Sequence, residues 1–138
     1  RAIELIKALE IPIREIRKTG EPIYDALQLA IKHEPEALRE RIDKTIERFF
    51  EHGWLQEVRE LLTKDISFDV PAWSSIGYPE LRQVLEGKLE EQEAKHQIQF
   101  ATWHYAKRQL TWFKRDQRIK WMSSDKDALN EAIRFLST

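Results

Sequence analysis

The chain has 138 residues, 41% hydrophobic and 34% charged, with a formal net charge of −1, which fits one domain with one modest core. It has no cysteine, which excludes disulfide frameworks, thiolate nucleophiles and cysteine-held zinc and agrees with a reducing, cytoplasmic setting. No apolar run approaches the roughly 18–20 residues of a membrane span, so no membrane association is expected.

Ile3, Leu5, Ile6 and Leu9 predict a first helix ending near Glu10, with a further turn or two up to Lys18 before Gly20 and Pro22. This charged, periodic opening is not expected to be a signal peptide. The first residue is Arg1 and the only methionine is Met122, so a processed, excised or truncated piece is expected. Ala26 to Ile31 is short and apolar and reads as a buried strand. Pro35 suits the first turn of a helix. Leu38, Ile42, Ile46, Phe49 and Phe50 form its 3.6-period stripe, and Gly53 suits its C-terminal cap. Trp54, Leu55, Val58, Leu61 and Leu62 predict a second amphipathic helix. Residues 65–75 lack a period and read as a loop. Tyr78, Leu81, Val84 and Leu85 predict a short helix ending at Gly87. Leu89 to Arg115 contains neither Gly nor Pro, is acidic in front and basic behind, and predicts one long helix. Ile119 to Met122 predicts a short strand, and Asp125 or Asp127 opens a last helix through Leu136.

On a wheel of about 100° per residue, His104, Lys107, Arg108, Thr111, Lys114 and Arg115 share one arc of the long helix. Ile98, Ala101, Tyr105 and Trp112 share an apolar arc, and Trp103, Ala106, Leu110 and Phe113 another. Between His104 and Lys120 six basic residues face a single Asp116. Such a stripe is a footprint for phosphates; the competing reading is a solvated face. Gln109 falls between the two apolar arcs. A buried amide there would cost roughly 1–3 kcal/mol unpaired, so it is expected to turn inward and to bond either nearby backbone or a bound substrate.

Thr102, Tyr105-Ala106 and Lys107-Arg-Gln-Leu-Thr-Trp-Phe-Lys114 resemble the "TRxYAKRQxTWFR" block of tRNA dimethylallyltransferases (tRNA isopentenyltransferases). Lys7-Ala-Leu-Glu-Ile11 resembles that family's "RALEV" helix. Arg41-Ile-Asp-Lys with Gly53-Trp-Leu-Gln-Glu-Val58 resembles its "RI…GLxxEV" pair. Ser75-Ile-Gly-Tyr-Pro-Glu80 resembles its "AIGYxE" motif, and Arg118 to Trp121 its closing strand. These blocks stand in the family's order across nearly the whole chain.

The resemblance implies a mainly α fold over 1–138: the helical C-terminal part of a P-loop α/β enzyme, with about two short strands left from the parent parallel sheet. It implies tRNA modification: transfer of a dimethylallyl group from dimethylallyl diphosphate to N6 of the adenine 3′ of the anticodon, flipped into a channel. The family's diphosphate cradle is a P-loop of the nucleotide-binding (ATP-binding) type, G-x-x-x-x-G-K-S/T, with Mg2+. The four glycines here, Gly20, Gly53, Gly77 and Gly87, are too far apart to form one. No catalytic residue and no metal ligand is therefore assigned to this chain, and the chain alone is expected to be inactive. The tRNA contacts carried over are Ser74, Ser75, Ile76, Gly77, Tyr78 and Pro79, and Lys107, Arg108, Gln109, Leu110, Thr111, Trp112, Phe113 and Lys114. The implied partner is a tRNA anticodon stem-loop, and a monomer is expected.

Departures from the family pattern are local. Thr45 stands where a diphosphate-contacting arginine is usual, and threonine offers no bidentate cation; Arg41 and Arg48, at i−4 and i+3, are the candidates to replace it. Pro79 and Ser74 replace often-basic residues, and Trp103 replaces the arginine of the "TRxYA" element. His33, His52, His96 and His104 lack metal-ligand spacing. Of the five tryptophans, Trp54 and Trp112 are expected in the core and Trp73 is the candidate for base stacking. Two other readings stay open: a non-catalytic helical RNA-binding module, and a purely structural helical fragment.

Overall fold

The computed structural model describes residues 2–10, 12, 23–64 and 66–137. The turns placed between Leu9 and Lys18 on sequence grounds lie largely outside them. Among the described residues six α-helices and two strands follow in order: α1 (Ala2–Leu9), β1 (Gln28–Ile31), α2 (Pro35–Glu51), α3 (Trp54–Leu62), α4 (Tyr78–Leu85), α5 (Glu91–Phe113), β2 (Ile119–Met122) and α6 (Asp125–Leu136). The fold is mainly α, with one two-stranded parallel sheet. The expected loop over 65–75 contains a 3-10 turn at Pro71–Ser74, opened by the proline.

Each helix begins or ends for a local reason. Pro35 is the first residue of α2, where its missing N–H costs nothing. Gly53 has φ +88°, a left-handed conformation that ends α2 and opens α3, so only two residues separate the helices. Ser124 caps α6 by accepting from the Asp127 backbone N–H.

The core sits where α2, α3, α4 and α5 meet. Ile46, Val58, Leu81 and Ile98 are buried together, and Ile42, Phe50, Leu55, Leu62 and Leu85 pack around them. These are the stripe positions of four amphipathic helices, so the periodicity read along the sequence becomes one shared interior. Burying each such side chain stabilises by about 1.5–3 kcal/mol. Lys95 spans α5 and α2, its ammonium 2.9 Å from Glu47 and 5.0 Å from the Phe50 ring centre.

At the other end of the molecule β1 and β2 pair in register from Gln28–Ile119 to Ile31–Met122. The Lys32 N–H extends the ladder by donating to the Met122 carbonyl at 2.9 Å. α6 packs on both strands. The long helix α5 thus runs from the four-helix core towards the sheet, and its two halves meet different surroundings.

Candidate functional site

Three neighbouring recesses follow α5. The largest, about 460 Å³, lies between α2 and α5; its apolar wall includes Leu38, Ile42, Phe49, Trp54, Ile76 and Ile98. Its polar groups are His33, Arg41, Thr45 and Thr102. Arg41 Nη1 donates to His33 Nε2 at 3.0 Å, which fixes that ring nitrogen as the acceptor and aims the guanidinium along the cleft. Thr45 lines this cleft, as its stripe-edge position predicts. Of the two arginines proposed to stand in for it, Arg41 lines the cleft; Arg48 is exposed outside that lining, and its carbonyl meets the His52 ring at 2.7 Å.

A second recess of about 210 Å³ lies between β1, α2, α5 and β2, lined by Ala30, Ile31, Gln109, Leu110, Phe113 and Trp121 among others. His33 and Leu38 border both recesses and so join them. Gln109 was expected to be buried with a partner, and that expectation is corrected. Its side chain is exposed and has no hydrogen bond among the described residues. The amide lines the open recess between α5, β1 and β2 and stays exposed there.

The third recess, about 320 Å³, is the basic one: His104, Lys107, Arg108, Thr111, Trp112 and Arg115. It matches the arc drawn from the sequence with two changes: Lys114 lies outside its lining and Trp112 inside. Trp112 stands in this groove, 67% exposed, instead of filling the core. An apolar arc on a wheel shows what a helix can bury; only the neighbouring elements decide whether it does. Lys114 is also exposed. The Thr111 hydroxyl donates to the Lys107 carbonyl one turn back.

The segment 74–79 serves mostly as packing. Gly77 has φ +103° and is buried, and a Cβ there would overlap the Trp54 indole. Glu80 accepts from the Gly77 N–H at 2.9 Å, closing the turn into α4. The Tyr78 hydroxyl donates to Glu57 at 2.7 Å, and that bond to a carboxylate raises its pKa, with burial adding to the shift. Trp73, the stacking candidate, lies half-buried with its ring 5.5 Å from Phe68 and 6.1 Å from Tyr78. Ile76 lines the large cleft; Ser74 and Ser75 are exposed, and Pro79 is half-buried. Of the two carried-over stretches, Ile76 lines the large cleft and residues of 107–113 line the two smaller recesses.

Two positions were missed by reading single helices. His33 was weighed only as a metal ligand, yet it holds Arg41. Arg39 of α2 lies over Trp103 of α5, its guanidinium carbon 4.9 Å from the ring centre. Neither pairing has a signal within one helix. Among the described residues no group of three or more His, Asp or Glu is placed to hold a metal ion. No described helix is long and apolar enough to cross a membrane.

A family model described as IPP transferase matches residues 1–116. The chain belongs to the IPP transferase family. It is 38% identical to the tRNA dimethylallyltransferase of Geobacter sulfurreducens over 130 residues, 87% of this chain and 42% of that protein. It is 37% identical to the tRNA dimethylallyltransferase of Carboxydothermus hydrogenoformans over 141 aligned positions, 100% of this chain and 45% of that protein. The crystal structure of the full-length tRNA isopentenylpyrophosphate transferase from Bacillus halodurans superposes with a TM-score of 0.75 at 26% identity, covering 99% of this chain and 50% of that one. The corresponding structure from Staphylococcus epidermidis gives 0.75 at 27% identity, covering 99% and 46%. This chain thus spans half or less of the length of these relatives, and it shares the helical architecture of that part.

Proposed function

We propose that this chain is the tRNA-holding part of a cytoplasmic tRNA dimethylallyltransferase, acting as a monomer. The observation that carries the reading is that one helix, α5, lines both the apolar cleft, through Ile98 and Thr102, and the basic groove, from His104 to Trp112. Lys107, Arg108, Lys114 and Arg115 suit the phosphates of an anticodon stem-loop. Trp112, exposed among these cations, suits a stacked base. Leu38, Ile42, Phe49, Trp54, Ile76 and Ile98 suit an allylic chain, and Arg41, held by His33, suits a diphosphate oxygen at the rim. Gln109, with its amide free, suits a hydrogen bond to the unstacked adenine.

In this reading the amine N6 of the adenine 3′ of the anticodon attacks the allylic carbon of dimethylallyl diphosphate, the C–O bond to diphosphate breaks, and the amine gives up a proton. The phosphate cradle and Mg2+ for that step come from the half of the family fold that this chain does not span. The chain alone binds RNA and does not transfer.

The test is equilibrium binding of two stem-loops that differ only at the position 3′ of the anticodon, adenine in one and uridine in the other. The reading predicts tighter binding of the adenine form and loss of that preference in Gln109→Ala. Equal binding of both stem-loops and of a plain RNA duplex contradicts it. A second reading, a non-catalytic RNA-binding module, draws on Thr45 occupying the cleft where a cation is usual. It predicts the same RNA affinity with no effect of added dimethylallyl diphosphate on the stability of the intact protein.

A further inference from the structure

Arg39 lies outside every segment assigned above to RNA. It is exposed on α2, and its helix offers it Glu36 at i−3 and Asp43 at i+4, the usual positions for an intrahelical ion pair. It pairs with neither. The guanidinium crosses to α5 and lies over the Trp103 ring, its central carbon 4.9 Å from the ring centre. The Lys107 ammonium approaches the same ring from one turn along α5, 5.9 Å from its centre. Among the described residues neither cation has a carboxylate partner. One half-buried indole therefore gathers two uncompensated positive charges, one from each helix, at the edge of the basic groove.

The physics of that arrangement is specific. The ring face attracts a cation by about 0.5–1 kcal/mol at an exposed site. Two cations sharing a ring also repel each other, and an anion placed between them relieves the repulsion. A guanidinium held over a ring without a carboxylate partner keeps N–H donors available, and such a fork can grip a phosphate with two parallel hydrogen bonds. Trp103 also stands where the resembled motif carries an arginine, so a guanidinium reaches this place from the neighbouring helix.

We propose that Arg39, held on Trp103, forms with Lys107 a phosphate clamp that extends the RNA surface of α5 onto α2. The clamp takes a backbone phosphate of the bound RNA and rests on the RNA-holding reading given above. Trp103 is a positioning residue, and Arg39 makes the contact.

The test is binding of an anticodon stem-loop across a salt series, with thermal melting of each variant as a check on folding. Arg39→Ala is expected to weaken binding and to lower the slope of log affinity against log salt by about 0.7–0.9, the loss of one phosphate contact. Trp103→Leu keeps the charge but frees the side chain, and is expected to weaken binding in the wild type and to have little further effect in Arg39→Ala. A merely structural pair would move the melting temperature and leave the salt slope alone; that result overturns the clamp. If Arg39→Ala leaves binding unchanged while joint replacement of Arg108 and Lys114 by Ala weakens it, the clamp is wrong and the RNA-holding reading stands. If neither does, the RNA-holding reading fails and the clamp fails with it.

Discussion

The two halves of α5 both carry apolar side chains but meet different surroundings. From Ala94 to Thr102 the helix is a wall of the core, with Ile98 only 1% exposed and Lys95 tied to Glu47. From His104 to Phe113 it carries Tyr105, Trp112 and Phe113 exposed beside Lys107 and Arg108. In the first half Ala94 and Ile98 hold the fold together, while Phe100 is 66% exposed. In the second half Tyr105, Trp112 and Phe113 stand in solvent among cations, where burial contributes little and contact with another molecule is the remaining use. A helix with one continuous pattern is thus divided by what packs against it.

The sharpest way to break this comparison is to truncate one side chain in each half. Ile98→Ala is expected to lose about 2–5 kcal/mol of stability in urea unfolding. Trp112→Ala removes a larger side chain and is expected to stay within about 0.5 kcal/mol. Equal losses would show that α5 is packed uniformly. Next in size is Gly77→Ala, which places a Cβ against the Trp54 ring at a φ of +103°. Its left-handed strain alone is about 1–3 kcal/mol, read as a lower melting temperature. If the variant melts like the parent, the contact between the Gly77 turn and α3 is not as close as described. Trp112→Ala should also weaken stem-loop binding by about 1–3 kcal/mol if a base stacks on it; unchanged affinity removes Trp112 from the RNA surface.

The smallest effect lies just past the end of α5. Arg118 donates two side-chain hydrogen bonds to the Asp116 carboxylate and lowers its pKa from 3.8 to about 2. A folded-state value below the unfolded one means that this pair stabilises fully above about pH 4. That contribution disappears as pH falls through about 2. Both groups are exposed, so the contribution is small. Asp116→Asn should flatten the pH dependence of stability in that window and change nothing at pH 7 beyond the loss of the pair. An unchanged pH profile would show that the pair is not formed in solution.

Much of the fold was legible because its signals are local. Pro35, Gly53 and Gly87 mark boundaries that the helices respect, and the stripe Leu38, Ile42, Ile46 names the buried face of α2. The strand pairing was legible only as two short apolar runs; that they lie parallel and side by side is a property of the chain's path. The basic groove was readable on a wheel because His104, Lys107, Arg108 and Thr111 belong to one helix and Arg115 follows just past its end. Burial was where the reading failed. Gln109 and Trp112 look enclosed on the wheel, and both are exposed. The Arg41–His33 and Arg39–Trp103 contacts bridge 8 and 64 positions of sequence, and neither follows from helical spacing on one element.

The central claim is that the second half of α5 holds RNA through its cations. The most direct measurement compares this chain with its Lys107→Ala, Arg108→Ala, Lys114→Ala triple variant for binding of an anticodon stem-loop from low to high salt. The account predicts affinity that falls steeply with salt and a slope reduced by about 2–3 in the variant, at roughly 0.7–0.9 per phosphate contact, with an unchanged melting temperature. An affinity indifferent to salt, or a variant that binds as the parent does, would contradict it.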